Sequence, residues 1–223
     1  MNNIEFNYLL LNDKYFNPCL DLLISVFTEI EPVGKHLKLT DNDLREFVSG
    51  LLMHSYHQKL TWIAIDKSKD SVVSALVFTD IYDEYNPKVE LSDKMQILFN
   101  LINSLYINHE HEFNVEKNIG THTWMVAVDK DYQKYGLLRN IYKKMSNWGL
   151  QNGYKYTLGE STNKYVISSL KKEPGHIILN TIPYSSYKYK DNYPLADLTE
   201  HTECIAYKFP FQFYPEVDFD MPK

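Results

Sequence analysis

The groups best suited to chemistry lie between residues 123 and 152, where a short apolar run is followed by a polar loop and a glycine. The apolar run, Trp124 to Val128, has the length of a buried strand, and the polar loop covers Asp129 to Tyr135. Gly136 then opens a segment whose apolar residues recur at helical spacing. Strand, loop, glycine and helix together direct free backbone N–H groups and the positive end of a helix at an anion. No side chain of the loop neutralises an anion outright, so such a site would depend on backbone dipoles and on Lys134.

Histidines and serines offer other chemistry. His54 and His57 are three residues apart on one predicted helix face, but no third ligand follows at a suggestive spacing, which favours a solvated helix end. His109 and His111 lie among glutamates in a polar segment, and together with His122 they would also fit a metal site, although a solvated cluster is the commoner explanation. We therefore predict no metal. No serine lies in the Gly-x-Ser-x-Gly context of a serine hydrolase.

Hydrophobic periodicity predicts the elements that position these groups. We predict strands at 4–11, 61–66, 71–79, 124–128, 154–159, 176–182 and 203–209, and helices at 15–27, 40–57, 92–106, 136–152 and 163–172. Thr40-Asp-Asn-Asp is a helix-start signal, and the polar stretch 67–70 between two β-branched runs is typical of a hairpin. The stretch 28–35 is predicted to be a turn and 109–118 a polar loop.

Composition limits the classes of function. The chain has 223 residues, 44% of them hydrophobic, which is enough for one sizeable core. Its formal net charge is -6 and no basic run is present, which argues against nucleic acid and weakly favours a cationic ligand such as a protonated amine. No apolar run approaches the ~20 residues of a membrane span, and no signal-peptide pattern is present. Cys19 and Cys204 are far apart, so we predict two buried, reduced thiols in a cytoplasmic protein.

The segment Val128-Asp-Lys-Asp-Tyr-Gln-Lys-Tyr-Gly-Leu-Leu resembles the acetyl-CoA signature of the GNAT N-acetyltransferase superfamily. In that signature a strand is followed by Gln/Arg-x-x-Gly-x-Gly/Ala and a helix. Gln133 and Gly136 match it. Leu138 does not, because the family has Gly or Ala there so that the backbone can approach the pyrophosphate. Without the resemblance, the pattern is a plain strand, turn and helix in which Gly136 only permits the turn.

A second segment resembles the arylalkylamine N-acetyltransferase branch of that superfamily, best known from insect dopamine acetyltransferases. Thr28-Glu-Ile-Glu-Pro-Val-Gly-Lys is similar to the Asp-Glu-Pro-Leu loop of that branch, in which the glutamate before the proline is the proposed general base. That position maps onto Glu31, followed by Pro32. Glu29 is the fallback.

A third segment, Gly159-Glu-Ser-Thr-Asn-Lys-Tyr, resembles the Glu-Cys-Thr-Ser-x-Tyr stretch after the fifth strand in the same proteins. The positions of the catalytic serine pair carry Asn163 and Val166 here, and the tyrosine acid of the wider family would fall near Leu170, so neither role carries over. Asn163 fits the family's asparagine near the pantetheine arm. The acetyl-CoA-binding residues implied by the resemblance are Val126, Ala127, Val128, Gln133, Lys134, Tyr135, Gly136, Leu137, Leu138, Arg139 and Asn163.

The resemblance spans most of residues 5–209 and implies one GNAT domain over residues 1–209. It implies an α/β (α+β) fold whose mixed central sheet of six to seven strands is flanked by helices, with the extra helix 92–106 between the third and fourth strands. Residues 210–223, where aromatic and acidic residues alternate, are predicted to pack as an extended arm. The Tyr184–Tyr187 connection resembles a Tyr-x-x-Tyr segment of these enzymes, and we expect it beside the substrate pocket.

The implied activity is acetyl-CoA-dependent acetylation of a small primary amine, with an arylalkylamine and a polyamine as candidates. Such an amine is protonated near neutral pH, so a general base within hydrogen-bond reach must remove its proton. A carboxylate with a pKa raised by burial can do this, and Glu31 is the best candidate, although it could be an ordinary solvated loop carboxylate. A backbone N–H around Val126 to Val128 could stabilise the oxyanion. Tyr165 could protonate the leaving thiolate, although a packing role is commoner for a tyrosine.

Two other functions remain open. A GNAT-fold protein could bind CoA or another ligand while being weak or inactive as a catalyst, which Leu138 and the missing serine and tyrosine favour. Alternatively, the chain could be an interaction module with neither cofactor nor substrate that uses its aromatic and acidic tail. We expect no nucleic-acid or membrane partner, and a monomer or homodimer.

Overall fold

A seven-stranded mixed sheet runs through the protein, which the computed structural model describes from residue 4 to residue 217. The strands are β1 (Phe6–Leu10), β2 (Thr61–Asp66), β3 (Ser71–Asp80), β4 (Gly120–Val128), β5 (Tyr156–Ser161), β6 (Ile177–Pro183) and β7 (Glu203–Pro210). They lie in the order β1-β2-β3-β4-β5-β7-β6. The β4–β5 pair is parallel and the other five pairs are antiparallel.

Helices cover both faces of this sheet. They are α1 (Phe16–Glu29), α2 (Pro32–His36), α3 (Asp41–Gln58), α4 (Asp93–Leu105), α5 (Leu137–Gln151) and α6 (Lys164–Leu170). Side chains of β2 alternate between the faces: Ile63 packs in the core formed with α1 and α3, and Trp62 packs in the core formed with α5. Because both faces are covered, all six residues of β2 are buried.

Two of the predicted helix starts have clear physical causes. At α3, the Thr40 side chain accepts the backbone N–H of Asp43, and the Asp43 carboxylate accepts the N–H of Thr40, which completes a capping box. At α4, the Ser92 side chain accepts the N–H of Met95. Both caps satisfy N–H groups that a helix start would otherwise leave without partners.

The structure confirms the predicted mixed α/β sheet and its flanking helices, with three local corrections. Residues 28–35 were predicted as a turn, but α2 forms there because Pro32 fits the first helical position and Glu31 caps it. β4 begins at Gly120, four residues earlier than its apolar run, because pairing on both sides buries its polar beginning. The loops at Lys130–Tyr135 and Glu110–Phe113 form short 3-10 helices.

The segment after β7 packs along α5. Phe211 is buried in the α5 core, and the backbone N–H of Gln212 donates to Ser146 Oγ at 2.7 Å. Residues 218–223 of the predicted arm lie outside the described residues, and the domain boundary at 209 stays a prediction. Cys19 and Cys204 are both buried and free, as predicted. None of the helices within residues 4–217 has the length and apolar character that crossing a membrane requires.

Candidate active site

The sheet opens between its two parallel strands. β4 pairs with β5 only as far as Thr123, which faces Gly159, although β4 continues to Val128. The pairing of β4 with β3 shifts register at the same place, which leaves Trp124 as an extra residue in β4. A bulge of this kind bends its strand and redirects the neighbouring side chains. The strands therefore separate just beyond Thr123.

Two cavities meet at this gap. The larger, of about 1000 Å³, extends from α1 and α4 to the start of α5, and the smaller, of about 380 Å³, lies against α5 and α6. The residues that line both cavities are Thr123, Val126, Leu138, Arg139, Tyr165, Val166, Ser169 and Tyr207. The two cavities therefore adjoin along this shared lining, and together they form a passage at the gap.

The start of α5 opens into this passage. Gly136 adopts the left-handed conformation, with φ 66°, and a Cβ built there would meet nothing within 4 Å. Glycine is therefore favoured at this position by backbone conformation and not by lack of space. No side chain caps α5 and no acidic residue lies in its first turn. The N–H groups at this end, with Arg139 in the first turn, suit an anion.

Most of the residues implied to bind acetyl-CoA line the larger cavity. They are Val126, Val128, Gln133, Gly136, Leu137, Leu138, Arg139 and Asn163. The Ala127 side chain instead lies in the core with α1 and α3. Lys134 and Tyr135 are exposed and line neither cavity. The cationic side chains of α5 that line the cavities are thus Arg139 and Lys143, and Lys134 is not among the lining residues.

Glu31 lies at the wall of the larger cavity, where it caps α2. Its carboxylate accepts the backbone N–H groups of Val33 and Gly34, and the hydroxyl of Thr162 donates to Oε1 at 2.5 Å. Burial raises the pKa of Glu31, while these three hydrogen bonds lower it, and the net shift is upward. A partly buried carboxylate with a raised pKa has the property that a general base needs.

A second cluster on this wall is centred on His122, which is 5% exposed. His122 Nδ1 lies 2.9 Å from Glu84 Oε1, and Nε2 lies 3.0 Å from Glu160 Oε1. The indole N–H of Trp124 donates to Glu84, and the hydroxyl of Tyr106 donates to Glu160. Burial lowers the pKa of His122, but the charges of both glutamates outweigh it and raise the pKa to about 10. His122 is therefore a buried cation between two carboxylates.

The charged and aromatic side chains of the larger cavity suit a ligand with an ammonium group and an apolar body. Its carboxylates are Glu31, Glu84 and Glu160, and its cations are the buried His122 and the exposed Arg139 at the start of α5. The aromatic side chains in its lining are Phe27, Phe47, Tyr85, Phe99, Tyr106, Phe113, Trp124, Tyr165 and Tyr207. Aromatic faces hold both an apolar body and a nearby ammonium group.

The sequence interpretation missed this histidine cluster. From the sequence, His122 is a candidate only for a metal site, Glu84 lies between the predicted strand 71–79 and helix 92–106, and Glu160 has no predicted role. One signal was present, since Glu160 occupies the glutamate position of the segment that resembles the arylalkylamine branch. Within residues 4–217, no three His, Cys, Asp or Glu side chains are grouped as metal ligands.

The positions of several tyrosines and of one glutamate relative to the cavities differ from those expected. Tyr184 and Tyr187 do not line the cavity but lie buried behind its wall, where their hydroxyls donate to the carbonyls of Thr162 and of α4, respectively. Tyr165 was expected to be packed, yet it is 64% exposed and borders both cavities. Glu29, the fallback base, is exposed and lines neither cavity.

Comparisons with known proteins find similar solved structures. No protein-family model matches the chain, and no curated protein matches its sequence. The C-terminal condensation domain of Ebony, solved in complex with beta-alanyl-dopamine, superposes with a TM-score of 0.81 at 12% identity, over 93% of this chain and 100% of that one. Arylalkylamine N-acetyltransferase 2 from Aedes aegypti gives 0.77 at 16% identity, over 93% and 100%.

A third match extends the comparison to another amine. Polyamine N-acetyltransferase from Drosophila melanogaster, described as catalysing the formation of N-acetylagmatine, gives a TM-score of 0.72 at 13% identity, over 92% of this chain and 100% of that one. Identities this low show a common fold alone. The fold implied by the sequence resemblance is confirmed over nearly the whole chain.

Proposed function

We propose that this chain, which has the fold of the GNAT N-acetyltransferases, transfers the acetyl group of acetyl-CoA to a small primary amine. The main observation that supports this proposal is the passage at the point where β4 and β5 separate. A transfer between two substrates needs both reactive ends at one point, held in the right geometry and shielded from water. The passage offers such a point to molecules that enter from different sides.

Acetyl-CoA fits the side of the passage next to α5. The free N–H groups at the start of α5 and the Arg139 side chain would bind the pyrophosphate. No strand of residues 4–217 pairs with the edge of β4 that faces β5 beyond Thr123, so this edge can pair with the pantetheine amides. Val126, Leu138 and Val166 give the passage apolar walls for the rest of the arm.

The amine fits the part of the larger cavity that lies next to α1 and α4, away from the start of α5. A protonated amine is attracted by the carboxylates of Glu31, Glu84 and Glu160, and its apolar body by the aromatic lining. The proposed substrate class is therefore a small primary amine with an apolar or aromatic body. An arylalkylamine fits this description, and a polyamine would make less use of the rings.

Glu31 is the proposed general base. It takes a proton from the ammonium group, after which the free amine attacks the thioester carbonyl. The C–N bond forms and negative charge develops on the carbonyl oxygen, where a backbone N–H of residues 126–128 stabilises it. The nitrogen then loses its surplus proton to solvent. The C–S bond then breaks, and the electron pair leaves with the sulfur of CoA.

A protein that binds CoA without turning it over is the second candidate function. Two observations favour it: Leu138 occupies a position where the family has a small residue, and the Glu31 carboxylate already accepts three hydrogen bonds. Release of free thiol from acetyl-CoA, measured over a panel of aryl and alkyl amines, separates the two functions. Thiol release with at least one amine supports the enzyme, and binding without release over the whole panel supports the alternative.

Acetyl-CoA is expected to stabilise the protein against heat. At a concentration 100 times Kd, binding to the folded state adds about 2.7 kcal/mol to the free energy of unfolding. A thermal-shift titration measures this, with acetyl-pantetheine as the control, since it lacks the pyrophosphate and should give a smaller shift at equal concentration. An unchanged melting temperature at millimolar acetyl-CoA would exclude both the enzyme and the CoA-binding alternative.

Arg139→Ala is expected to weaken acetyl-CoA binding about 10-fold, or about 1.4 kcal/mol, because it removes a charge-assisted contact to phosphate. Affinity for acetyl-pantetheine should stay within twofold, since that fragment does not reach the phosphate site. Isothermal titration measures both affinities. Lys172→Ala, which removes an exposed cation outside both cavities, is the matched control. Equal losses for both ligands would contradict the assigned phosphate site.

A further inference from the structure

The C-terminal segment, residues 211–217, is held along α5 by two buried polar side chains. Ser146 Oγ accepts the backbone N–H of Gln212 at 2.7 Å and donates to the carbonyl of the same residue at 2.7 Å. The side-chain amide of Asn147 makes the same pair of bonds with Tyr214, at 2.7 and 2.8 Å. Ser146 is 0% exposed and Asn147 is 1% exposed. Because buried polar groups are costly without partners, these bonds fix the segment in one position on α5.

This position brings an aromatic ring to the smaller cavity and a carboxylate to a cation that lines it. Tyr214 is half-buried and lines that cavity. Lys143 of α5 lines it as well, and its Nζ lies 5.4 Å from the centre of the Tyr214 ring and 2.5 Å from Glu216 Oε1. The carboxylate of Glu216 thus holds the Lys143 ammonium beside the Tyr214 ring.

The rest of the lining suits a flat aromatic base that carries phosphate. Arg139 lies one helical turn before Lys143, which puts both cations on the same side of α5. Glu173 adds a carboxylate, which can accept a hydrogen bond from an amino group. Burial and the charge of Glu173 raise the pKa of Tyr214, so its phenol is neutral at pH 7 and does not repel a phosphate. The other aromatic side chains of this lining are Phe78, Tyr142, Tyr165, Tyr207 and Phe209.

The smaller cavity also lies within reach of the proposed phosphate site. Arg139 lines both cavities and belongs to the first turn of α5, where the pyrophosphate of acetyl-CoA is proposed to bind. The adenosine of acetyl-CoA is joined directly to that pyrophosphate. Its base is aromatic and carries an amino group, so it matches the rings and the carboxylate of this cavity.

We propose that the smaller cavity binds the adenosine of acetyl-CoA and that the adenine ring packs against Tyr214, and this rests on the proposed function. The C-terminal segment is then one wall of the cofactor site. Its hydrogen bonds to Ser146 and Asn147 hold that wall in place before the cofactor arrives. A site that is already formed costs less to order when its ligand binds.

Tyr214→Ala is expected to raise the Kd for acetyl-CoA about 10-fold, near the lower end of the effect of removing an aromatic side chain on which a base stacks. S-acetyl-4′-phosphopantetheine keeps the thioester, the pantetheine and one phosphate but lacks adenosine, so its Kd should change less than twofold. Isothermal titration measures both. Tyr214→Phe keeps the ring, and its Kd for acetyl-CoA should stay within twofold of the unmodified chain.

Phe213→Ala is the matched control. Phe213 is the neighbouring aromatic residue of the same segment, but it is 67% exposed and lines neither cavity. Its Kd for both ligands should stay within twofold of the unmodified chain. Melting temperatures of the three variants within a few degrees of the unmodified chain show that losses of affinity are not caused by unfolding.

The titrations distinguish failure of this inference from failure of the proposed function. If the unmodified chain does not bind acetyl-CoA, the proposed function fails and the adenosine site fails with it. If the unmodified chain binds acetyl-CoA and Tyr214→Ala changes that Kd less than twofold, or weakens both ligands equally, only the adenosine site is overturned. Tighter binding of acetyl-CoA by Tyr214→Ala would also overturn it, since the segment would then obstruct the cavity.

Discussion

Replacement of Glu31 by Gln is expected to lower kcat for amine acetylation about 1000-fold, within the range reported for general acid–base catalysis. Glu31 faces the cavity that suits the amine, and burial raises its pKa towards the value a base needs at neutral pH. Gln has nearly the same shape but cannot accept a proton from the ammonium group. The amine would then remain charged and unable to attack the thioester.

The pH dependence of kcat shows whether Glu31 acts as a general base or only as a helix cap. Only the ionised form of Glu31 can accept a proton, so kcat should rise with pH and level off above its pKa. Because this pKa is raised, the rise should lie above the pH at which an exposed glutamate titrates, about 4.3. Glu31→Gln should remove the rise, whereas loss of a structural contact would lower kcat equally at every pH.

Glu31→Gln also weakens the cap of α2, which is expected to have a smaller effect, on stability. Glu31 accepts the N–H groups of Val33 and Gly34, and Gln can replace this pair only partly, so a loss of about 1 kcal/mol in stability is expected. Glu29→Gln makes the same chemical change on an exposed side chain two residues away, and its kcat should stay within twofold. A Glu31→Gln variant that keeps the rise of kcat with pH would show that another group is the base.

Much of the fold follows from local patterns. The amphipathic spacing of α1, α3, α4 and α5 predicted these helices because each buries one stripe of apolar side chains against the sheet. The N-terminal half of β4 was missed since its residues are polar or small, and only pairing with β3 and β5 buries them. The helix α2 was missed because five residues are too few to show a period.

Some residues of the candidate site could likewise be predicted from the sequence, and others could not. Glu31 and the start of α5 could be located because each belongs to a short contiguous segment that resembles a family. The contacts of His122 could not, because its partners Glu84 and Glu160 are each 38 residues away and come close to it only in the folded protein. The bulge at Trp124 has no signal in the sequence, as the apolar run continues through it.

The buried cation His122 is expected to make the protein less stable as the pH rises. Its folded-state pKa of about 10 lies above the 6.5 of an exposed histidine. The folded state therefore holds a proton that the unfolded chain has lost, so the stabilisation is complete below pH 6.5 and is lost as the pH rises through 10. Between these values this one group lowers the free energy of unfolding by about 1.4 kcal/mol per pH unit.

His122→Gln should remove this contribution. At pH 6 the variant is expected to be about 5 kcal/mol less stable, since it leaves Glu84 and Glu160 without the cation between them. Urea unfolding at pH 6, 7, 8 and 9 measures the difference from the unmodified chain, which should shrink as the pH rises. Taking the difference cancels the contributions of the thiols, tyrosines and lysines that titrate in both proteins.

His57→Gln, which changes an exposed histidine, should follow the unmodified chain at each pH. A difference that stays constant from pH 6 to 9 would mean that His122 is neutral in the folded protein, and that the cavity wall carries two uncompensated carboxylates beside Glu31.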